Sequence, residues 1–290
     1  VKVEHREIPE ADAASSFKLL YPVRFDIVTQ ALSPPWHYYT RLTLFFSHPF
    51  DKYAVLREDR GMKGLSVEIS EKLRLYAELL GSANARARLT GPSDPVVLLE
   101  EHIEDALRGL PFLPQDGDGK RFIDVGTGGG LPGLVWGVCR PDLAGTLLDS
   151  IGRKSALTSE IASRLGCRNI EVICARSEDF ARAHRELFHI ATARAVAHAC
   201  VLAEYLAPLV RVGGKIIAFK GKNVRDELGI PMSKWRVLGL AAPSLHPYSA
   251  AGKDRCIVIW EKITRTPARF PRRPGMADKK PWVALPSAPG

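Results

Sequence analysis

One stretch constrains this chain more than any other: Asp124-Val-Gly126-Thr-Gly128-Gly-Gly130-Leu131-Pro132-Gly133. A short apolar run ending at Val125 precedes it, and a helical pattern over 131–139 follows. Glycines between a strand and a helix let the main chain turn sharply and let a ligand lie against bare backbone. In a sheet of parallel strands such a turn falls on the carboxyl edge, where ligands bind.

Two ligand frames overlap here. Gly128-x-Gly130-x-x-Gly133 satisfies the dinucleotide pattern, although Pro132 sits inside it. The other frame runs from Asp124 through Gly126 and Gly128 to Gly130 and puts a carboxylate at the strand end. A pyrophosphate would be repelled there, whereas a positively charged sulfonium with an aminoacyl group would be favoured. The acidic frame therefore favours S-adenosylmethionine. Asp149, ending the next strand, could accept both ribose hydroxyls of either ligand. A glycine-rich turn with no ligand is the structural alternative. Polar residues also end the following strands: Arg176-Ser177-Glu178, then Arg194, then Lys220-Gly221.

The surrounding pattern alternates between strand and helix. Short apolar runs at 121–125, 146–148, 170–174, 188–193, 215–219 and 256–260 are separated by helical patterns at 131–139, 154–165, from Ser177, and at 198–211. That alternation predicts a mostly parallel sheet with helices on both faces. Upstream, Ser66 is a candidate N-cap. Ile69, Leu73, Tyr76 and Leu80 recur at helical spacing, with Gly81 as the expected stop. A second helix is expected over 94–110. The expected divisions are a 1–64 extension whose 36–50 stretch fits neither period, a 65–115 helical lead-in, a catalytic domain over 116–263 and a tail over 264–290.

The chain carries 41 Lys+Arg against 32 Asp+Glu, a net charge of +9. Residues 262–280 alone hold seven basic residues and one acid, +6 of that total. Four prolines (Pro267, Pro271, Pro274, Pro281) disfavour helix and central strand, so an extended basic tail is expected. Such a tail suits a polyanion, because neutralising phosphates releases counterions; a solvated terminus is the alternative. The five scattered cysteines form no C-x-x-C pair and read as reduced thiols of a cytoplasmic protein. Neither a membrane span nor a signal segment is expected. No clustered metal ligands are seen.

The motifs resemble the bacterial 16S rRNA guanine-N7 methyltransferase family, also called glucose-inhibited division protein B. The resemblance is carried by D-V-G-T-G-G-G-L-P-G, R-P-D at 140–142, T-L-L-D-S-I-G-R-K at 146–154, A-R-S-E-D-F and A-R-A-V-A. It extends to L-T-G at 89–91, H-I-E-D-A-L at 102–107 and F-P-R-R-P-G at 270–275, and so covers roughly residues 65–280. Arg88 stands where the family usually has asparagine. The resemblance implies a Rossmann-like class I S-adenosylmethionine-dependent methyltransferase fold, with a small N-terminal helical lead-in and a basic C-terminal tail. It implies methylation of N7 of guanine 527 in the 530 loop of 16S rRNA, either in free RNA or in a small-subunit precursor. In this frame Asp124, Gly126, Gly128, Leu131, Asp149, Ser177, Glu178 and Arg194 line the cofactor. Asp149 holds the ribose, and Ser177-Glu178 meet the adenine. Arg194, Lys220, Arg269, Arg272 and Arg273 contact RNA. A monomer is expected.

Guanine N7 carries a free lone pair at neutral pH, so no general base is expected. The task is alignment of N7, methyl carbon and sulfur. His102 and His198 read as packing or hydrogen-bonding residues. A guanidinium beside N7 would oppose the charge that develops there, so Arg194 is assigned to a phosphate, O6 or the cofactor carboxylate. Two other readings stand beside this one: an RNA-binding protein with a vestigial pocket, and a nicotinamide-dependent oxidoreductase.

Overall fold

The computed structural model describes residues 24–28, 41–45 and 64–284. The chain forms two compact units, Val1–Arg60 and Gly61–Gly290. In the first, β1 (Arg24–Val28) pairs antiparallel with β2 (Arg41–Phe45). The rest of the expected 1–64 extension lies outside the described residues.

The second unit is built on seven strands. They are β3 (Arg121–Val125), β4 (Ala144–Asp149), β5 (Ile170–Cys174), β6 (Phe188–Arg194), β7 (Val210–Gly221), β8 (Ser244–Ala250) and β9 (Lys253–Glu261), in the order β5-β4-β3-β6-β7-β9-β8. β3 to β7 run parallel to one another, and β9 runs antiparallel between β7 and β8. The chain moves outward from β3 to β5, then returns to β6 on the other side of β3. That reversal opens a crevice at the carboxyl ends of β3 and β6, the place where open α/β sheets bind ligands.

Both faces are covered, which is why the central strands read as continuous apolar runs. On one face Phe122, Leu147, Ile190, Ile217, Phe219 and Ile257 pack under α1 (Val67–Asn84), a helical run over 95–107, α4 (Gly133–Cys139) and α5 (Gly152–Arg164). On the other face Ile123, Val125, Ala191, Ala193, Ile216 and Val258 pack under α6 (Ser177–Ala183) and α7 (Ala199–Leu206). The 95–107 run has three parts: α2 (Pro95–Val97), a π-helical stretch Leu98–Ile103 and α3 (Glu104–Leu107). Trp136 lies fully buried and donates its indole N–H to the Ala106 carbonyl at 2.9 Å, tying this lead-in to the sheet domain.

Several sequence expectations give way to tertiary contacts. Ser66 caps α1 as expected, but the helix runs through Gly81 to Asn84. Gly81 serves close approach instead of a stop, since a Cβ there would sit 2.4 Å from the Ser93 carbonyl oxygen. The helix expected over 198–211 ends at Leu206, because Pro208 has no N–H to continue the hydrogen-bond ladder after Ala207, and Val210 already belongs to β7. β8 carried no clear period in the sequence.

The expected extended tail is packed against the domain as far as residue 284. Phe270, Pro271 and Ala277 are buried, and Met276–Lys279 forms a short turn of helix. A proline-rich segment cannot join a backbone ladder, so side chains of the domain satisfy it. Arg185 donates to the Thr266 and Phe270 carbonyls, Glu178 accepts from the Gly275 N–H at 2.9 Å, and Trp282 donates to the Cys200 carbonyl at 2.7 Å.

Candidate functional site

The glycine loop leaves β3 at a carboxylate that is completely buried. Asp124 Oδ2 accepts from the Thr127 hydroxyl at 2.7 Å and from the Gly133 N–H at 2.9 Å, so it ties the two ends of the loop together. Asp124 Oδ1 has no partner among the described residues. Burial pushes this carboxyl up to about 6, against the pull of the Thr127 and Gly133 hydrogen bonds. An unsatisfied buried acceptor is costly and points to a donor not supplied by the protein.

The rest of the loop is fixed from outside. The Gly128 carbonyl accepts from Thr158 of α5 at 2.7 Å, and the Gly129 carbonyl accepts from the buried Tyr76 of α1 at 2.9 Å. Asp149 Oδ2 accepts from the Gly128 N–H at 3.0 Å, and its Oδ1 accepts from the Ile151 N–H at 2.9 Å. A carboxylate has about four lone-pair sites, so two remain for further donors. Gly128 lies at φ +56, and a Cβ there would stand 3.0 Å from the Leu89 carbonyl oxygen. Leu89 is itself held by Asn84, whose Oδ1 accepts from the Leu89 and Thr90 N–H groups.

These bonds separate the two ligand frames. The amides of Gly128 and Gly133 are turned onto Asp149 and Asp124, so they are not free to receive a pyrophosphate. The acceptor set suits a ligand with an ammonium, a positive sulfonium and a ribose diol. The residues present fit S-adenosylmethionine: the buried Asp124 Oδ1 has no hydrogen-bond partner among the described residues, and Asp149 keeps lone-pair sites beyond its two backbone bonds.

The carboxyl ends of β6, β7 and β9 add a second cluster. Arg194, on the same sheet face as Asp124, donates from one terminal nitrogen to His102 Nδ1 and to Asp105 Oδ2, each at 3.2 Å. Asp105 is fully buried and also accepts from Arg255 at 3.2 Å and from the Tyr248 hydroxyl at 2.5 Å. Desolvation and the Arg194 and Arg255 guanidiniums push His102 down to about 4. Its ring is neutral at pH 7 with Nδ1 accepting, because a guanidinium has only donors. His198 caps α7, accepting from the Cys200 N–H at 3.4 Å. His102 is thus bound to a residue distant in the chain and His198 to a local backbone amide.

The structure gathers Asp124, Gly126, Gly128, Leu131, Asp149, Ser177, Glu178 and Arg194 along one edge of the sheet. Within that set, Glu178 also serves the C-terminal segment, with one oxygen accepting from Ser177 and the other from Gly275. Lys220, expected on the RNA surface, points inward: it pairs with Glu227 at 2.6 Å and donates to the Ala197 carbonyl at 2.8 Å. Arg272, expected there too, forks onto the buried Glu204 at 2.8 and 2.6 Å. Arg269 and Arg273 are exposed. Sequence reasoning missed Thr127, Thr158, Asp105, Tyr248 and Arg255. Their roles depend on long-range proximity, and only the H-I-E-D-A-L motif hinted at one of them.

Seven strands in this order, with a glycine loop at the reversal and acids ending its first two strands, define a class I S-adenosylmethionine-dependent methyltransferase. Residues 69–257 match the family described as rRNA small subunit methyltransferase G, and the chain belongs to that family. It is similar to the protein named ribosomal RNA small subunit methyltransferase G of Clostridium perfringens (strain 13 / Type A), with 37% identity over 215 residues, 73% of this chain and 90% of the relative. The protein of the same name from Symbiobacterium thermophilum is 36% identical over 236 residues, 77% of this chain and 96% of that one. The Fervidobacterium nodosum protein of that name is 36% identical over 217 residues, 74% and 99% respectively.

Proposed function

We propose that this protein methylates N7 of a guanine in small-subunit ribosomal RNA; the relatives' names give the small-subunit RNA, and the guanine and N7 come from the family resemblance. The observation that carries the reading is the buried, half-satisfied carboxylate of Asp124 facing the glycine loop. Bound there, S-adenosylmethionine supplies a sulfonium methyl group. Asp124 would receive the amino group and Asp149 the ribose hydroxyls, while Ser177 and Glu178 stand where the next strand ends, beside the adenine. The chain then needs to bring a guanine N7 into line with the methyl group. N7 attacks with its own lone pair, so no residue has to remove a proton first. Arg194, held by Asp105 and His102, is fixed in place and serves to orient O6, a phosphate or the cofactor carboxylate. The Ala195–Ala197 turn covers the loop from the other side, and a Cβ on Gly126 would meet Val196 at 2.7 Å. The target base must be unpaired or flipped to reach this edge.

Arg269 and Arg273 are the RNA contacts of the C-terminal segment in this reading, and the protein works as a cytoplasmic monomer. The direct test is to map N7-methylguanine in small-subunit RNA from cells with and without the gene. Loss of one modified guanine in the deletion supports the reading; identical maps overturn it. Calorimetric titration with S-adenosylmethionine and with a nicotinamide dinucleotide addresses the loop separately. Tight binding of the dinucleotide alone would favour an oxidoreductase. Binding of neither, with RNA affinity retained, would leave an RNA-binding protein with a vestigial pocket.

A further inference from the structure

Next to Arg194 the structure holds a second crevice, of about 430 Å³, that the cofactor frame does not use. Lys222 reaches it from the end of β7, and Arg225 from α8 (Val224–Glu227). Tyr248, Ser249, Asp254 and Arg255 line it from the β8–β9 hairpin. Arg255 pairs across the sheet with Gly221, so it stands at the carboxyl edge, two strands from β6 with β7 between them.

The charges of this crevice do not balance internally. Arg255 and Arg194 share one oxygen of Asp105, at 3.2 Å from each, so a single carboxylate faces two guanidiniums. His102 adds no negative charge, and Tyr248 stays protonated because burial and its bond to Asp105 hold its hydroxyl well above the usual range. Lys222 and Arg225 are exposed, and neither has an acidic ion-pair partner among the described residues. The lining contributes one acid, Asp254, against three cations. Arg255 Nε is buried and has no acceptor among the described residues. An unpaired buried donor beside unpaired cations asks for a ligand made only of acceptors, which is the chemistry of a phosphate.

We propose that this crevice binds a phosphodiester of the RNA strand beside the target guanosine, through Arg255, Lys222 and Arg225. The inference rests on the RNA methylation reading above. Its location supports an RNA phosphate over a free one: the crevice is open at the sheet edge, and the arginine it shares with Asp105 leads directly to Arg194 at the methyl-transfer site. Phosphate contacts fix register and orientation, which suits a step whose chemistry is alignment.

The test compares wild type with Lys222→Gln/Arg225→Gln, using naked small-subunit RNA and small-subunit particles. The double variant should raise KM for its RNA substrate roughly tenfold, leave kcat within about twofold and leave S-adenosylmethionine affinity unchanged. The slope of log affinity against log salt, read by filter binding, should become shallower by about 1 to 2, because each neutralised phosphate contributes roughly 0.7 to 0.9. Arg255→Lys keeps the charge facing Asp105 but removes Nε–H, and should raise KM by a smaller factor. Unchanged KM and salt slope in the double variant overturn the proposal. The same holds if millimolar inorganic phosphate inhibits wild type but not the variant while RNA affinity stays equal, since the crevice would then serve a free anion. The filter-binding slope tests the crevice even if the wild-type reaction yields no N7-methylguanine, a result that would count against the functional reading.

Discussion

Asp124 shows how much one buried atom can decide. Its carboxyl titrates near 6 in the folded chain against 3.8 for the free group, so the folded state binds the proton more tightly than the unfolded chain does. The sign follows from linkage: this group's contribution to stability is greatest below pH 4 and declines as pH rises through about 6. At about 1.4 kcal/mol per unit, its ionisation costs the cofactor-free protein on the order of 3 kcal/mol. Asp124→Asn keeps an acceptor for Thr127 and Gly133, so the variant should lose that pH slope in thermal melts while weakening S-adenosylmethionine binding at pH 7 by tenfold or more. In the wild type, cofactor affinity should fall as pH drops below about 6. A variant with the same melting profile and the same affinity would remove Asp124 from the site. Gly128→Val tests the same loop by shape. A valine at φ +56, with its Cβ 3.0 Å from the Leu89 oxygen, costs about 1–2 kcal/mol in backbone strain and fills the cradle. Calorimetry should find cofactor binding lost with RNA affinity nearly intact.

At the scale of elements, the C-terminal segment is the clearest case of tertiary structure redirecting residues that read as free charges. Prolines and arginines at this density predict a solvated polybasic strand. Here the prolines keep the backbone out of helix and sheet, and domain carboxylates and carbonyls hold it instead. Glu204 is buried, and Arg272 is its partner at 2.6 Å. Removing Arg272 leaves that carboxylate buried and unpaired, a cost of about 3 kcal/mol. At this domain size that corresponds to a melting temperature lowered by roughly 6–12 °C. Arg273→Ala, an exposed side chain, should leave the melting temperature within about 1 °C and weaken RNA binding at low salt. Calorimetric scans and salt-dependent filter binding separate the two roles, and equal melting temperatures for both variants would contradict the packing described here. The 95–107 run carries a similar lesson. Its sequence gives one helix, whereas the π-helical stretch precedes Asp105 and accompanies the turn of His102 and Asp105 toward Arg194.

For the molecule as a whole, cofactor and fold are linked by mass action. The loop contacts both flanking strands and is braced by α1 and α5, so a ligand seated in it stabilises the domain that its partners span. At a hundredfold excess over Kd, S-adenosylmethionine should add about 2.7 kcal/mol, which is a rise of roughly 5–10 °C in melting temperature. A nicotinamide dinucleotide should add little. A melting temperature indifferent to S-adenosylmethionine would set the loop assignment aside.

Much of this architecture was legible from residues in series. The strand–glycine–helix order at 121–139, the acids at Asp124 and Asp149 and the helical spacing of Ile69, Leu73 and Tyr76 are local patterns. Burial on both faces writes them directly into the chain. β8 was not legible, because an edge strand with Pro247 inside it and mixed burial leaves no clean period. The partners of charged side chains were not legible either. A lysine or arginine in a sequence looks the same whether it meets water, RNA or a buried glutamate. Lys220 found a carboxylate on the short helix that follows its strand, and Arg272 one on an element distant in the chain, while Arg255 and Arg194 came to share Asp105. Sequence by itself determined the sheet, the loop and the ligand class, because those follow from backbone freedom and apolar periodicity. Only the tertiary structure decided which charges remain free to bind, because that depends on which distant acids the fold brings within hydrogen-bonding reach.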